Sequence, residues 1–243
     1  MGEQLWFTQV LNHLFAAPVT AVLHALGFHV AAPAAPISNY NAMVILVALM
    51  LAVFATWLSR QLSVERPRAW QQTIEVGWTG LEAHSEDVIG HGGGRFINYL
   101  FTLALFILIG NLLGLIPGFE SPTGSIAVTV GLALTAFVYY HAHGLRHHGP
   151  VRYASTFMGP VKAIAFLMVP VEIISHFARI LSLSVRLFAN MFAGELITAI
   201  FVALVPVAGL VFMGLHVFVA LLQTYIFVVL TMIYLSGAVM EVH

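Results

Sequence analysis

From Ala163 to Val239 the chain is apolar almost throughout, with one interruption near Pro206 and Gly209. This leaves two tracts, about Ala163 to Val205 and about Val207 to Val239. A membrane helix needs about 20 mostly apolar residues. At 1.5 Å per residue, about 42 helical residues reach roughly 63 Å and about 32 reach roughly 48 Å, against ~30 Å of hydrocarbon. Two such helices either lie strongly tilted against one another or break, and Pro170, Gly194 and Gly214 are the places for a break. Neighbouring helices, rather than lipid, must set any large tilt.

Three spans of ordinary length precede these tracts, at roughly Tyr40 to Leu58, Ile97 to Ile116 and Ser125 to Ala142. Only 8% of the residues are charged and 60% are hydrophobic, whereas a soluble domain carries roughly 25% charged residues. So few charges cannot cover a water-facing surface, so lipid is the main solvent. The fold class expected is all-α, a polytopic membrane protein with about five membrane helices, the last two long and tilted as an antiparallel hairpin. No internal repeat or low-complexity linker divides the chain. Residues 1–36 read as an N-terminal amphipathic, extracytoplasmic segment and 37–243 as one membrane domain, with the two long helices at about 163–239.

The opening segment mixes Glu3, Gln4, Gln9, Asn12 and His13 with Leu, Phe and Val. It is either an amphipathic stretch at the membrane surface or a frayed polar terminus. It lacks the basic start of a signal peptide, since the first basic residue is Arg60. A net charge of -1 without a basic patch excludes a nucleic-acid partner. The absence of cysteine excludes disulfides and thiolate metal sites. No Gly-rich Lys-Ser/Thr loop is present, so the chain has no nucleotide site and no catalytic site of its own.

Cytoplasmic loops retain Lys and Arg. Arg60, Arg66, Arg68 and Arg95 follow the first span, and Arg146, Arg152 and Lys162 follow the third. The turn from Pro117 to Gly124 has Glu120 and no basic residue. The N-terminus and that turn are therefore expected outside, and both basic loops and the C-terminal Glu241 to His243 inside.

The fourth tract carries the chemistry. It contains Glu172, Arg179, Arg186, Asn190 and Glu195, and each ionised group deep in a membrane costs about 2.5–3.5 kcal/mol by insertion scales. Such groups face a partner or a water-filled path. Glu172, Arg179 and Arg186 recur every seven residues, so they drift only about 20° per step on a helix. Ser175 and Ser182 share that stripe, and Asn190 lies one turn beyond Arg186. Glu195, nine residues on, is about half a revolution away and looks in the opposite direction. The fifth tract supplies His216, Gln223 and Tyr234. Counting from a turn at Pro206 puts Glu195 and His216 at one depth and Arg186 and Gln223 in a deeper layer. By themselves, Asn190 and Gln223 could equally be interhelical hydrogen-bond glue, and Arg179 with Glu172 a structural ion pair.

The run Ser182-Leu-Ser-Val-Arg186-Leu-Phe-Ala-Asn190-Met-Phe-Ala-Gly-Glu195-Leu strongly resembles the a subunit of the F-type ATP synthase. The run Leu222-Gln223-Thr-Tyr-Ile-Phe-Val-Val-Leu-Thr-Met-Ile-Tyr234-Leu-Ser resembles that family's last helix, and Asn111-Leu-Leu-Gly-Leu-Ile-Pro117 resembles an earlier span. The resemblance covers about Trp70 to His243. It implies a proton-translocating stator subunit whose essential arginine is Arg186, facing a rotating ring of small hairpin subunits that each carry one carboxylate. It implies proton-access roles for Asn190, Glu195, His216 and Gln223, a cytoplasmic-side acid at Glu172, and supporting places for Ser182, Arg179 and Tyr234. The implied partners are that c-ring, the peripheral-stalk b subunits and the rest of the synthase, with no cofactor and no metal. Glu at 195 and His at 216 match bacterial members, which implies a bacterial inner membrane, whereas Ser-His-Phe-Ala-Arg179 is nearer the mitochondrial pattern.

Two other classes were weighed. His141, His143, His147 and His148 cluster as in a membrane metalloenzyme, but such enzymes need several clusters converging on one site. A self-contained secondary transporter commonly shows internal repeats around a midplane site, and none is visible here.

Overall fold

The computed structural model describes residues 5–27, 33, 35–63, 67–90, 92–116, 118–156 and 165–239. Arg66, Pro117, Lys162 and Glu241 to His243, used above for orientation and for one motif, lie outside the described residues, as do Glu3 and Gln4. Eight α-helices follow in order: α1 (Trp6–Ala25), α2 (Asn39–Gln61), α3 (Ala69–Ile89), α4 (Ile97–Leu113), α5 (Ile126–His148), α6 (Pro150–Thr156), α7 (Ala165–Leu204) and α8 (Pro206–Val239). A short 3-10 turn, Pro122–Gly124, lies between α4 and α5. Among the described residues there is no strand.

Five of these helices (α2, α4 with the turn before it, α5, α7 and α8) are long and apolar enough to cross a membrane. The expected spans are found within a few residues. Of the two alternatives for the long tracts, the breaks do not occur: α7 runs 40 residues through Pro170 and Gly194, and α8 runs 34 residues through Gly214. At 1.5 Å per residue they extend about 60 and 51 Å. Pro170, which has no N–H to give to the ladder, stands within α7 without ending it.

One residue, Val205, separates α7 from α8, and Pro206 opens α8. Proline suits a first helical position, because its missing N–H has no intrahelical partner there anyway. Gly209 lets the turn close: a Cβ there would come 2.6 Å from the Val202 side chain. Contacts up the hairpin then run in opposite directions. Val202 meets Gly209, Phe201 stacks on Phe212, Gly194 meets His216, Asn190 bonds Gln223, and Arg179 covers Tyr234. The two helices are therefore antiparallel over most of their length.

The hairpin packs on α4 and α5. Leu103 and Ile107 of α4, Ala133 of α5, Leu183, Leu187 and Met191 of α7 and Phe227 of α8 form one buried cluster. On α7 the spacing 183–187–191 defines the inner face. A second cluster joins Ile89 at the end of α3 to Leu100, Tyr140, Met232 and Leu235. The N-terminal segment is helical as α1, and it is tied down where Asn12 donates to the Ile37 carbonyl (3.1 Å) and accepts from the Ile37 N–H (3.0 Å). Helix α3, for which the sequence reading named no element, ends at Gly90 with a φ of 90°, a conformation that favours glycine.

Candidate functional site

The polar residues of α7 fall into three groups along its axis. Glu195 is about 13 Å and Glu172 about 21 Å from Arg186, on opposite sides.

At the Pro206 end, Glu195 turns its carboxylate onto the 122–124 turn and accepts the Ser121 N–H at 3.1 Å. Gly114 and Gly124 make the room, since a Cβ at either would run into the carboxylate. Ser121 starts a fully buried chain: its hydroxyl shares a hydrogen bond with Thr123 at 2.7 Å, and Thr123 donates to Asn111 Oδ1 at 2.5 Å. Asn111 in turn donates to the Ala220 carbonyl of α8 at 3.5 Å. Nearby, Asn39 donates to Glu120 at 3.1 Å.

His216 stands level with Glu195, as counted from the turn, but the two do not pair. The imidazole lies against the Gly194 backbone, where a Cβ would approach Nδ1 to 2.9 Å. Neither of its ring nitrogens has a hydrogen-bond partner among the described residues, although the residue is only 3% exposed. Glu195 and His216 share no hydrogen bond among the described residues, and the carboxylate accepts the Ser121 N–H.

One layer deeper, Asn190 donates to Gln223 Oε1 at 2.7 Å. Gln223 is 1% exposed and its amide nitrogen has no partner among the described residues. The expected level was Arg186 with Gln223, and the observed one is a turn away. Counted from Pro206, Asn190 is 16 residues away and Gln223 is 17, whereas Arg186 is 20, so equal rise in the two helices already favours the observed pair.

Arg186 is exposed on the outer face of the bundle, and its one hydrogen bond here is a long one to Ser182 Oγ at 3.4 Å. Among the described residues no carboxylate lies within ion-pair distance of it, the ion pairs being Glu172 with His176 and with Arg179. Ala178, Ser182, Val185, Ala189 and Ala193, all small and exposed, run along the same face.

The third group surrounds Glu172. His176 Nε2 approaches its carboxylate to 3.5 Å and Arg179 to 3.8 Å. The Arg179 guanidinium also covers the Tyr234 ring at 5.3 Å. The seven-residue stripe thus starts inside the bundle at Glu172 and Arg179 and emerges at Arg186, as the slow drift of a heptad on a straight helix requires. A polar cavity of about 210 Å³ lies here, lined by Tyr140, Tyr153, Glu172, His176, Arg179 and Tyr234 with Gly237 and Ala238.

The histidines at 141–148 diverge. His141 Nδ1 bonds the Tyr153 hydroxyl at 2.7 Å, His143 Nδ1 contacts the Tyr139 carbonyl at 3.0 Å, and the His147 and His148 rings meet each other. The sequence reading missed Ser121, Thr123 and Asn111 around one acid and His176, Tyr140, His141 and Tyr153 around the other. His176 was legible as the i+4 neighbour of Glu172. Ser121 was not, because nothing local marks a backbone N–H as a carboxylate partner.

Residues 41–236 match the family model described as ATP synthase A chain. Over its full length the chain is 47% identical to ATP synthase subunit a of Koribacter versatilis (strain Ellin345), all of which is covered. It is 45% identical to ATP synthase subunit a of Solibacter usitatus (strain Ellin6076), over 86% of this chain and 91% of that one. It is 41% identical to ATP synthase subunit a of Campylobacter fetus subsp. fetus (strain 82-40), over 83% and 90% of the two chains.

Proposed function

Since the chain belongs to the family of ATP synthase subunit a, we propose that it is the stator subunit through which protons reach and leave a rotating c-ring. Two half-channels, offset along α7, meet the ring on either side of Arg186. The observation that carries this function is the setting of Arg186. A permanent charge stands halfway along a 40-residue apolar helix, on the outer face, with no carboxylate of the described chain beside it.

An arginine cannot deprotonate in a protein, and left against lipid it costs several kcal/mol. Its charge therefore calls for a carboxylate from another chain. The small residues from Ala178 to Ala193 allow a second helix to come close enough to supply one. A protonated ring carboxyl crosses lipid at small cost, whereas an ionised one does not. Arg186 stabilises the ionised form as it passes and repels a proton that would cross directly.

On the Pro206 side, Glu195, His216, Gln223 and Asn190 form a descending series that ends one turn from Arg186. Buried polar atoms without partners among the described residues, at His216 and Gln223, are the kind that hold ordered water. That supports a wet path from Glu195 to the ring. On the other side Glu172 receives the proton. Each charge crossing 100 mV supplies about 2.3 kcal/mol, so several protons must be pooled per ATP, which is the use of a ring.

The Arg60, Arg68, Arg95, Arg146 and Arg152 positions fall at or near helix ends that successive spans bring to one side. By the retention of basic loops on the cytoplasmic side, Glu172 opens to the cytoplasm, Glu195 and the N-terminus face outward, and the C-terminus is cytoplasmic. The site is then a bacterial inner membrane, with b subunits of the peripheral stalk holding the chain still.

Arg186→Lys and Arg186→Ala, in the whole complex reconstituted into vesicles, test the function. Lysine offers a compact, deprotonatable ammonium in place of a planar fork. Both variants should assemble and lose coupled ATP synthesis, and Arg186→Ala should also leak protons. Near-normal coupled synthesis by either one overturns the proposal.

A further inference from the structure

The geometry around Glu172 points to more than a lone acid. We infer that His176 is a proton-transfer residue of the Glu172 half-channel, taking the departing proton from the Glu172 carboxyl and releasing it into the cavity beside Tyr153. This rests on the function proposed above and adds a residue to it.

His176 lies one helical turn from Glu172, and its Nε2 faces the carboxylate at 3.5 Å. Its other nitrogen, Nδ1, lies 3.0 Å from the buried Tyr140 hydroxyl. With Nδ1–H donating to Tyr140, Nε2 carries the lone pair and can accept from Glu172. With the Tyr140 hydroxyl donating to Nδ1, Nε2 carries the proton, so the Tyr140 contact accommodates both neutral states of the ring. The ring is 9% exposed at residue level, yet it lines the 210 Å³ cavity together with Glu172 and Arg179. It therefore reaches both the acid and the space through which a proton leaves.

The transfer balances simply. The Glu172 carboxyl gives its proton to Nε2, leaving a carboxylate and an imidazolium. The imidazolium then gives the same proton to water in the cavity and returns to the neutral tautomer.

The neighbours set the terms of that cycle. On α7, Arg179 lies 3.8 Å from Glu172. On α5, the His141 ring lies 4.7 Å from that of His176. Tyr140 of α5 sits on Nδ1, Tyr153 of α6 holds His141 at 2.7 Å, and Tyr234 of α8 lies under Arg179. Among the described residues, these are titratable and charged groups that face His176 from the helices around it.

A bland account, in which His176 only packs between α5 and α7, predicts a different response to substitution. Membrane vesicles holding the whole synthase, oriented with Glu172 toward the bath, are driven by ATP so that protons are drawn in through this half-channel. The pumping rate is followed between about pH 6 and pH 8, where imidazole titrates. His176→Gln can still hydrogen-bond Tyr140 but cannot carry a proton, and His176→Leu does neither. Both should pump about tenfold more slowly, with the pH dependence of this range lost, and free imidazole in the bath should restore much of the rate. ATP-driven pumping within about twofold of wild type in His176→Gln, with an unchanged pH profile, overturns the inference. So does a slow His176→Leu that imidazole cannot rescue while His176→Gln runs normally. Arg186→Ala in the same vesicles separates the two claims: normal pumping there defeats the proposed function itself, whereas its loss beside an unaffected His176→Gln defeats only the role of His176.

Discussion

Glu195 and Glu172 are carboxylates on one helix, yet their surroundings are of opposite kinds. Glu195 is held by a backbone N–H, at Ser121, and the polar side chains that continue from it, His216 and Gln223, keep atoms without protein partners. Glu172 stands among side chains that bind each other: His176, Arg179, Tyr140, His141 and Tyr153. The difference lies in where each acid meets the bundle. Glu195 looks toward the α4–α5 turn, where backbone groups are available. Glu172 lines the cavity that α5, α6 and α8 also border, and its ion-pair partners among the described residues are side chains. One end thus has an acid held by a backbone group, and the other an acid set among side chains that bind one another.

If that contrast is right, removing the acid should hurt more at the Pro206 end. Glu195→Leu is expected to slow proton flow through vesicles about 10²-fold, and Glu172→Leu only about tenfold, because His176 and the cavity persist. Equal losses would break the comparison.

The glycines sharpen it further. Gly194→Ala puts a Cβ 2.9 Å from His216 Nδ1 and should displace the ring, slowing flow about fivefold, as overpacking by one methyl disturbs a tight contact. Gly237, beside the Glu172 cavity, has nothing within 4 Å of such a Cβ. Gly237→Ala should therefore leave flow unchanged and stiffen α8 slightly, by about 0.5–1 kcal/mol. A matching loss in Gly237→Ala, measured in the same vesicles, would contradict the roomy description of that end.

The Asn190–Gln223 bond gives a smaller effect. Asn190→Leu and Gln223→Leu should each slow flow about threefold, and the double variant no more than the worse single. That corresponds to a coupling of about 0.6 kcal/mol, in the range measured for interhelical hydrogen bonds in membranes. Fully additive losses would mean that the two act separately.

Smallest of all should be Thr123→Val. It removes the donor to Asn111 and the contact with Ser121, but it leaves the Ser121 N–H on Glu195. Flow should fall about twofold or less, while thermal unfolding of the complex reports a loss of about 1–3 kcal/mol for the buried groups left unpaired. A loss of flow as deep as that of Glu195→Leu would make the hydroxyl chain part of the path itself.

The hairpin illustrates how far the order of residues could lead. The length of the apolar tracts and the Pro206 turn placed α7 and α8 to within a residue or two, because burial in lipid demands continuous apolar helix. The heptad stripe put Glu172 and Arg179 together, and the half-turn offset sent Glu195 away from Arg186, since helical geometry is local. Register across the hairpin was a different matter. Asn190 and Gln223 are 16 and 17 residues from Pro206 and Arg186 is 20, so a strict count brings Gln223 to Asn190 instead of level with Arg186, while the glycines decide how closely the helices approach. His216, at the right depth beside Glu195, found the Gly194 backbone and not the acid.

By itself, then, the sequence determined that this is an all-helical membrane chain, that a lone arginine sits mid-helix among apolar residues, and which family it belongs to. Those follow from composition and from periodicities of a few residues, which every helix obeys regardless of its neighbours. Tertiary structure alone decided what each polar group touches. It brought Ser121, 74 positions from Glu195 in the chain, onto that carboxylate, and Tyr140, 36 positions from His176, onto that imidazole. Such contacts depend on distances of about an ångström between helices, which packing sets and the order of residues along one helix does not contain.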